Sequence, residues 1–170
     1  MTTERMQFGL PRTTCACQIC KTNCEFMPGF LIPADLERMM PTDVDPMLWA
    51  EENLLASPGA LVANSATGKT FRIGTLVPKT KPDGSCIHLN AEGLCQIHPV
   101  APFGCSFFDC GPERNGISRD GLMAVLDAHR DNGLYAVIWR WLHARGDRQL
   151  APEVLRERMA AKEKAGATTM

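Results

Sequence analysis

The eight cysteines of this chain fall into two dense groups, and that distribution constrains the fold more than any other feature. The first group is Cys15-Ala-Cys17-Gln-Ile-Cys20-Lys-Thr-Asn-Cys24. The second is Cys86, Cys95, Cys105 and Cys110, inside the stretch from Gly84 to Cys110. No cysteine lies between the groups or after them. Groups so dense locally and so distant in sequence read as ligand sets that folding brings to one region.

Compartment decides between metal and disulfide. The N-terminal MTTERMQFGLPRTTC has no apolar run of signal-peptide length, and no later stretch approaches the roughly 18 apolar residues of a membrane span. A cytoplasmic protein without membrane attachment is expected. In that reducing compartment clustered cysteines favour metal thiolates over disulfides. A net charge of -1 with 22% charged residues is too balanced to predict a nucleic-acid partner. A protein partner is left open. At 170 residues the chain is about one domain long. The expected organisation is a single domain over 1–170, with metal-binding segments 15–24 and 84–110 and a helical C-terminal part over 119–164.

Local patterns predict an α+β fold: small, mostly helical, with short hairpins, cross-linked by one or more cysteine–metal sites. Pro33 to Met40 reads as a helix, and Asp45-Pro46 as an N-cap with a first-turn proline for a second helix running through Leu55. Ala60 to Asn64 and Phe71 to Val77 read as paired strands joined by a turn at Gly68. Gly68-Lys69-Thr70 resembles the tail of a phosphate loop, but the glycine needed five positions earlier is Ala63, so a turn is the better reading. Residues 119–131 and 134–145 carry the apolar stripes of packing helices, and Pro152 opens a charged last helix to about Lys164. No internal repeat is evident.

Cys17, Cys20 and Cys24 are spaced i, i+3, i+7, which on a helix puts all three on one face. Cys15 would then point away and serve a second metal or stand as a spare thiol. In the second group, Cys86 to Leu89 and Leu94 to Ile97 read as a hairpin with the four-residue loop Asn90 to Gly93. That register pairs Leu89 with Leu94, His88 with Cys95 and Cys86 with Ile97, and places Cys86 and Cys95 diagonally on one face about 7 Å apart. Cys105 and Cys110, offset by five, do not share one metal in the simplest arrangement. Phe103, Phe107 and Phe108 read as an apolar shield. His88 and His98 stand beside cysteines and are read first as neighbours of the site, with ligation as the alternative. His129 and His143 read as ordinary helix residues.

The central pattern G-x-C-x-x-L-x3-G-x-C-x-I-H-x3-P-x-x-C-x-F-F is carried by Gly84, Cys86, Leu89, Gly93 to Cys95, Ile97, His98, Pro102, Cys105 and Phe107. It resembles the YkgJ-like cysteine-cluster family, described as zinc- or iron-chelating, whose hallmark is an upstream C-x2-C-x3-C-C. Cys17, Cys20 and Cys24 match three of those four positions, and Glu25 stands at the fourth, with Cys15, Cys110 or the Glu25 carboxylate available to compensate. The resemblance covers Cys17 to Phe108. Some members are flagellin lysine methylases, so it also admits a cluster-dependent enzyme of the protein N-methyltransferase type.

The spacings fit neither a zinc ribbon nor a bacterial ferredoxin run. A thiolate-rich set selects zinc or an iron–sulfur cluster. The expected cofactor is a [4Fe-4S]-type cluster or Zn2+, in one site or two, with candidate ligands Cys15, Cys17, Cys20, Cys24, Cys86, Cys95, Cys105 and Cys110. A structural or redox metal-binding protein is the first reading, since no catalytic triad, carboxylate pair or dinucleotide fingerprint accompanies the cysteines. The enzyme and a metal-handling protein are the alternatives.

Overall fold

The computed structural model describes residues 18–59, 61–63, 67–98, 101–107 and 133–167. These form an α+β fold with, in chain order, α1 (Gln18–Phe26), α2 (Pro33–Met39), α3 (Pro46–Asn53), β1 (Leu54–Ser57), β2 (Leu61–Ala63), β3 (Thr70–Arg72), β4 (Thr75–Pro78), α4 (Phe103–Phe107), α5 (Gly133–Arg145) and α6 (Pro152–Ala167). The expected helix over 119–131 lies outside the described residues.

α3 begins where the sequence signals it. Asp45 Oδ1 accepts the N–H groups of Met47 and Leu48 at 2.8 and 3.0 Å, and Pro46 occupies the first turn. The helix ends two residues before the expected Leu55, because Leu54 to Ser57 leave as β1 with all four residues buried. β1 pairs antiparallel with β4, Leu55 opposite Val77 and Ala56 opposite Leu76. On its other edge the Ala56 N–H donates to Asp147 and the Ala56 carbonyl accepts from Gln149, which fixes the chain just after α5 alongside. An apolar pair such as Leu54-Leu55 fits either a helix end or a buried strand, and these two distant partners decide for the strand.

The expected long strand from Phe71 to Val77 is two strands. β3 pairs with β2 in the expected hairpin, Val62 opposite Phe71, whereas β4 crosses to β1. The break falls at Ile73-Gly74, where a Cβ on Gly74 would stand 2.8 Å from the Trp139 indole. Trp139 also donates its Nε1–H to the Ser57 carbonyl at 2.9 Å.

The core joins Leu31 and Leu36 to Ala50, Leu54, Ala56, Leu76, Tyr135, Ile138 and Leu142. Tyr135 is its polar tie. Its hydroxyl donates to the Leu31 carbonyl at 2.6 Å and accepts the Leu76 N–H at 2.8 Å, while the Leu31 N–H donates to the Leu76 carbonyl at 2.8 Å. The outer edge of β4 is thereby satisfied without a further strand. No described helix is long and apolar enough to cross a membrane.

Candidate functional site

Four of the eight cysteines, Cys24, Cys86, Cys95 and Cys105, have described side chains. Cys20 lies on α1 one turn before Cys24, as the helical spacing predicts, and Cys15, Cys17 and Cys110 lie outside the described residues. No disulfide forms among the described residues.

Cys24 sits in the last turn of α1, where carbonyls run out of helical partners. Its carbonyl accepts the Cys86 N–H at 2.9 Å, so the end of the first cysteine segment is bonded directly to the start of the second. The neighbouring Glu25, at the position where the family pattern has cysteine, faces Lys162 of α6 at 4.0 Å. The same ammonium lies 4.8 Å from the Phe26 ring.

Residues 81–98 are two copies of one nine-residue turn, a repeat that inspection of the sequence did not reveal. The Lys81 N–H donates to the Ser85 carbonyl and the Gly84 N–H to the Lys81 carbonyl; nine residues later the Asn90 N–H donates to Leu94 and the Gly93 N–H to Asn90. Leu89 then donates to the Cys86 carbonyl as His98 does to that of Cys95, and Ile87 to Lys79 as Gln96 does to His88. Gly84 and Gly93 hold φ at 90° and 73°, the left-handed region that glycine enters without penalty. The hidden signal is Gly-x-Cys recurring nine residues apart, each copy with an Asp or Asn upstream.

This arrangement corrects the expected hairpin register. Leu89 bridges to Cys95, not Leu94, because Asn90 Oδ1 accepts the N–H groups of Glu92 and Leu94 at 3.1 and 2.8 Å and closes a five-residue loop. Cys86 pairs back to Thr80. Each cysteine therefore opens a turn of its own, and the two do not lie diagonally on one hairpin face.

Cys105 is delivered by a backbone crossing. A Cβ on Gly29 would stand 2.0 Å from the Cys105 nitrogen, and one on Gly104 would stand 2.3 Å from the Phe30 nitrogen. Only two glycines let these strands of chain touch, and the Gly104 N–H donates to the Phe30 carbonyl at 2.8 Å. The Cys105 thiol rests 3.7 Å from the Gly29 carbonyl. The start of α4 is held by Asp35, a fully buried carboxylate that accepts the Phe103 N–H at 2.8 Å and the Ile32 N–H at 3.0 Å while pairing with Arg38. Sequence reading missed Asp35, because a carboxylate that caps its own helix gives no sign of a second, distant client. Of the expected aromatic shield, Phe103 is buried against Phe30, with ring centroids 5.9 Å apart.

The thiols feel one another. Burial first, then Cys86, Cys95 and Glu25, raises the Cys24 thiol to about 12. Burial raises Cys86 to about 11, with Cys95 adding to the shift and the His88 N–H and Lys81 opposing it. Burial pushes Cys105 well up, and Cys86, Cys24 and Cys95 push it further. All six pairs among Cys24, Cys86, Cys95 and Cys105 are thus coupled electrostatically. As thiolates they would repel one another, which is the situation a bound cation relieves. Among the described residues no group of three or more His, Cys, Asp or Glu side chains is placed so that it could hold a metal ion.

His88 is half-buried, and desolvation lowers its basicity, so its ring is neutral near pH 7. Its Nε2 is buried without a hydrogen-bond partner. His143, in the last turn of α5, stacks on Trp139 at 4.8 Å. No family model, no curated protein and no solved structure matches the chain, so the likeness to the YkgJ-like family rests on its motif alone.

Proposed function

We propose that this chain binds a soft metal centre, an iron–sulfur cluster of the [4Fe-4S] type or zinc, through thiolates from both cysteine segments, in a structural or redox role. The observation that carries the reading is the 2.9 Å backbone bond from the Cys86 N–H to the Cys24 carbonyl, which joins the two cysteine segments, with Cys105 held at the Gly29–Gly104 crossing a few residues after α1. Soft thiolate donors suit zinc or iron–sulfur chemistry and suit calcium or magnesium poorly. These four residues would hold the centre. Cys20 on the same helix as Cys24, with Cys15, Cys17 and Cys110, supplies the remaining thiols for a second site or a larger one.

Energetics support the same reading. Between residues 81 and 98 only Ser85, Cys86 and Leu89 are buried, too little apolar surface to order eighteen residues at about 1–2 kcal/mol of backbone entropy each. Hydrogen bonds within the turns offset part of that cost. A metal crosslink to α1 and α4 would supply more, since metal binding and folding are coupled at such sites. When bound, the centre contributes that crosslink and, if it is a cluster, a site for one electron.

The test is anaerobic purification followed by metal and sulfide analysis and a visible absorption spectrum. Iron with acid-labile sulfide and a broad visible band supports the cluster, and a colourless chain with stoichiometric zinc supports zinc. A chain holding neither metal contradicts the proposal.

A further inference from the structure

α6 buries one side chain, Leu155 in its first turn. From Arg156 to Gly166 every residue is exposed except Met159, which is half-buried. A helix of 16 residues that is polar nearly all round has no apolar face to hold it down, so its attachment depends on individual ties along its length.

Two such ties stand near opposite ends. Glu153 in the first turn pairs with Arg72 of β3, and the same guanidinium donates from Nη1 to the Gly59 carbonyl at 2.8 Å. Two turns beyond Leu155, the Lys162 ammonium lies 4.0 Å from the Glu25 carboxylate and 4.8 Å from the Phe26 ring, both in the last turn of α1. The first tie sits beside a buried leucine and a backbone acceptor. At the second, the Lys162 side chain is 69% exposed and that of Glu25 37%, so water and salt screen the pair.

α1 is fixed by other means. The Cys24 carbonyl accepts the Cys86 N–H, the Met27 N–H donates to Asn23 at 2.7 Å, and the Lys21 side chain lies beside Gly93 of the second turn.

We propose that the distal half of α6, from Met159 to Gly166, is a clasp on α1 that opens as a unit while the turn at Leu155 and α1 itself stay in place. Segments held by few buried contacts open first. Opening uncovers Glu25 and the Phe26 ring beside the Cys24–Cys86 junction, so the fold carries a salt-sensitive cover over one side of that junction. The carboxylate next to Cys24 thereby has a task that needs no metal, and the clasp stands independently of the metal-binding reading.

The test is hydrogen exchange of the full chain, resolved along α1 and α6. Lys162→Met removes the ammonium and keeps an apolar stem. It is expected to speed exchange over 159–166 roughly 3- to 20-fold, with the rates at Leu155 and Met27 and the melting temperature unchanged. Glu25→Gln, which leaves the Phe26 contact, is expected to speed the same segment by up to about fivefold. Raising salt from about 0.1 to 1 M should accelerate it in the wild-type chain and much less in Lys162→Met. Combining Lys162→Glu with Glu25→Lys restores opposite charges and is expected to exchange more slowly over 159–166 than either single variant. Unchanged exchange over 159–166 in Lys162→Met overturns the clasp. Acceleration spread equally over α1 and the core also overturns it, because the whole fold would then be opening. A double variant no slower than the singles overturns the pairing of Lys162 with Glu25 on which the clasp rests.

Discussion

The Cys86 N–H donates to the Cys24 carbonyl at 2.9 Å, a backbone bond between the two cysteine segments. It places the last turn of α1 against the first of the repeated turns before any metal is considered. If the chain holds a metal as proposed, removing one thiol should leave this junction in place while the centre is lost.

Cys95→Ala tests that separation. Cys95 opens the second turn and is coupled to the other three thiols, yet the Cys24–Cys86 junction does not involve it. On the proposed metal-binding reading, the variant is expected to lose bound metal and to melt at the temperature of chelator-treated wild type, because the binding energy of such a metal adds to folding energy. Full metal content with an unchanged melting temperature would remove Cys95 from the ligand set.

Asp35 links the two glycine-bearing segments to the core. Asp35→Ala leaves the buried Ile32 and Phe103 N–H groups without their acceptor, at about 1–3 kcal/mol each. A loss on the order of 2–5 kcal/mol is expected in urea unfolding. In the folded variant the Cys105 thiol, on the helix Asp35 anchors, should react faster with alkylating reagent than in wild type. Equal rates would mean that Asp35 holds the fold and not the thiol.

Gly29→Ala is expected to be more disruptive than Gly84→Ala. The Gly29 Cβ would meet the Cys105 backbone at 2.0 Å, where no rotamer can yield, while nothing lies within 4 Å of a Cβ on Gly84. At Gly84 the penalty is the positive φ of 90°, about 1 kcal/mol. Comparable melting temperatures for the two variants would contradict the crossing.

Tyr135 is the single tyrosine, so phenolate absorbance reports it alone. Burial raises its ionisation above the ordinary 10.0, the Asp35 carboxylate adds to the shift, and the bond to Leu76 opposes it. A group whose folded value is raised stabilises the fold fully below its unfolded value, and that stabilisation is lost as pH rises beyond it. Phenolate is therefore expected to appear together with the collapse of the far-ultraviolet circular dichroism, above pH 10. A tyrosine titrating near 10.0 in a chain with intact dichroism would contradict its place in the core.

Local chemistry was legible in the sequence and long-range pairing was not. The Asp45-Pro46 start of α3, the β2–β3 hairpin and the span of α5 each follow from neighbours in sequence, and each is where the residues indicate. β1 escaped because Leu54-Leu55 suits helix or strand, and its partners lie at β4 and Asp147. The register of the Cys95 turn escaped by one residue because the Asn90 side chain, not the loop length, sets it. The cysteines could be grouped from spacing alone, but the glycine crossing that brings Cys105 to Cys24 and Cys86 could not. Gly29 and Gly104 carry no pattern until their segments meet.

The central claim is that thiolates from both segments hold one soft metal. X-ray absorption at the metal edge of the anaerobically purified full chain tests it most directly. The expected result is a first shell dominated by sulfur at about 2.3 Å. A first shell of oxygen and nitrogen without sulfur, or no metal to measure, would contradict the account.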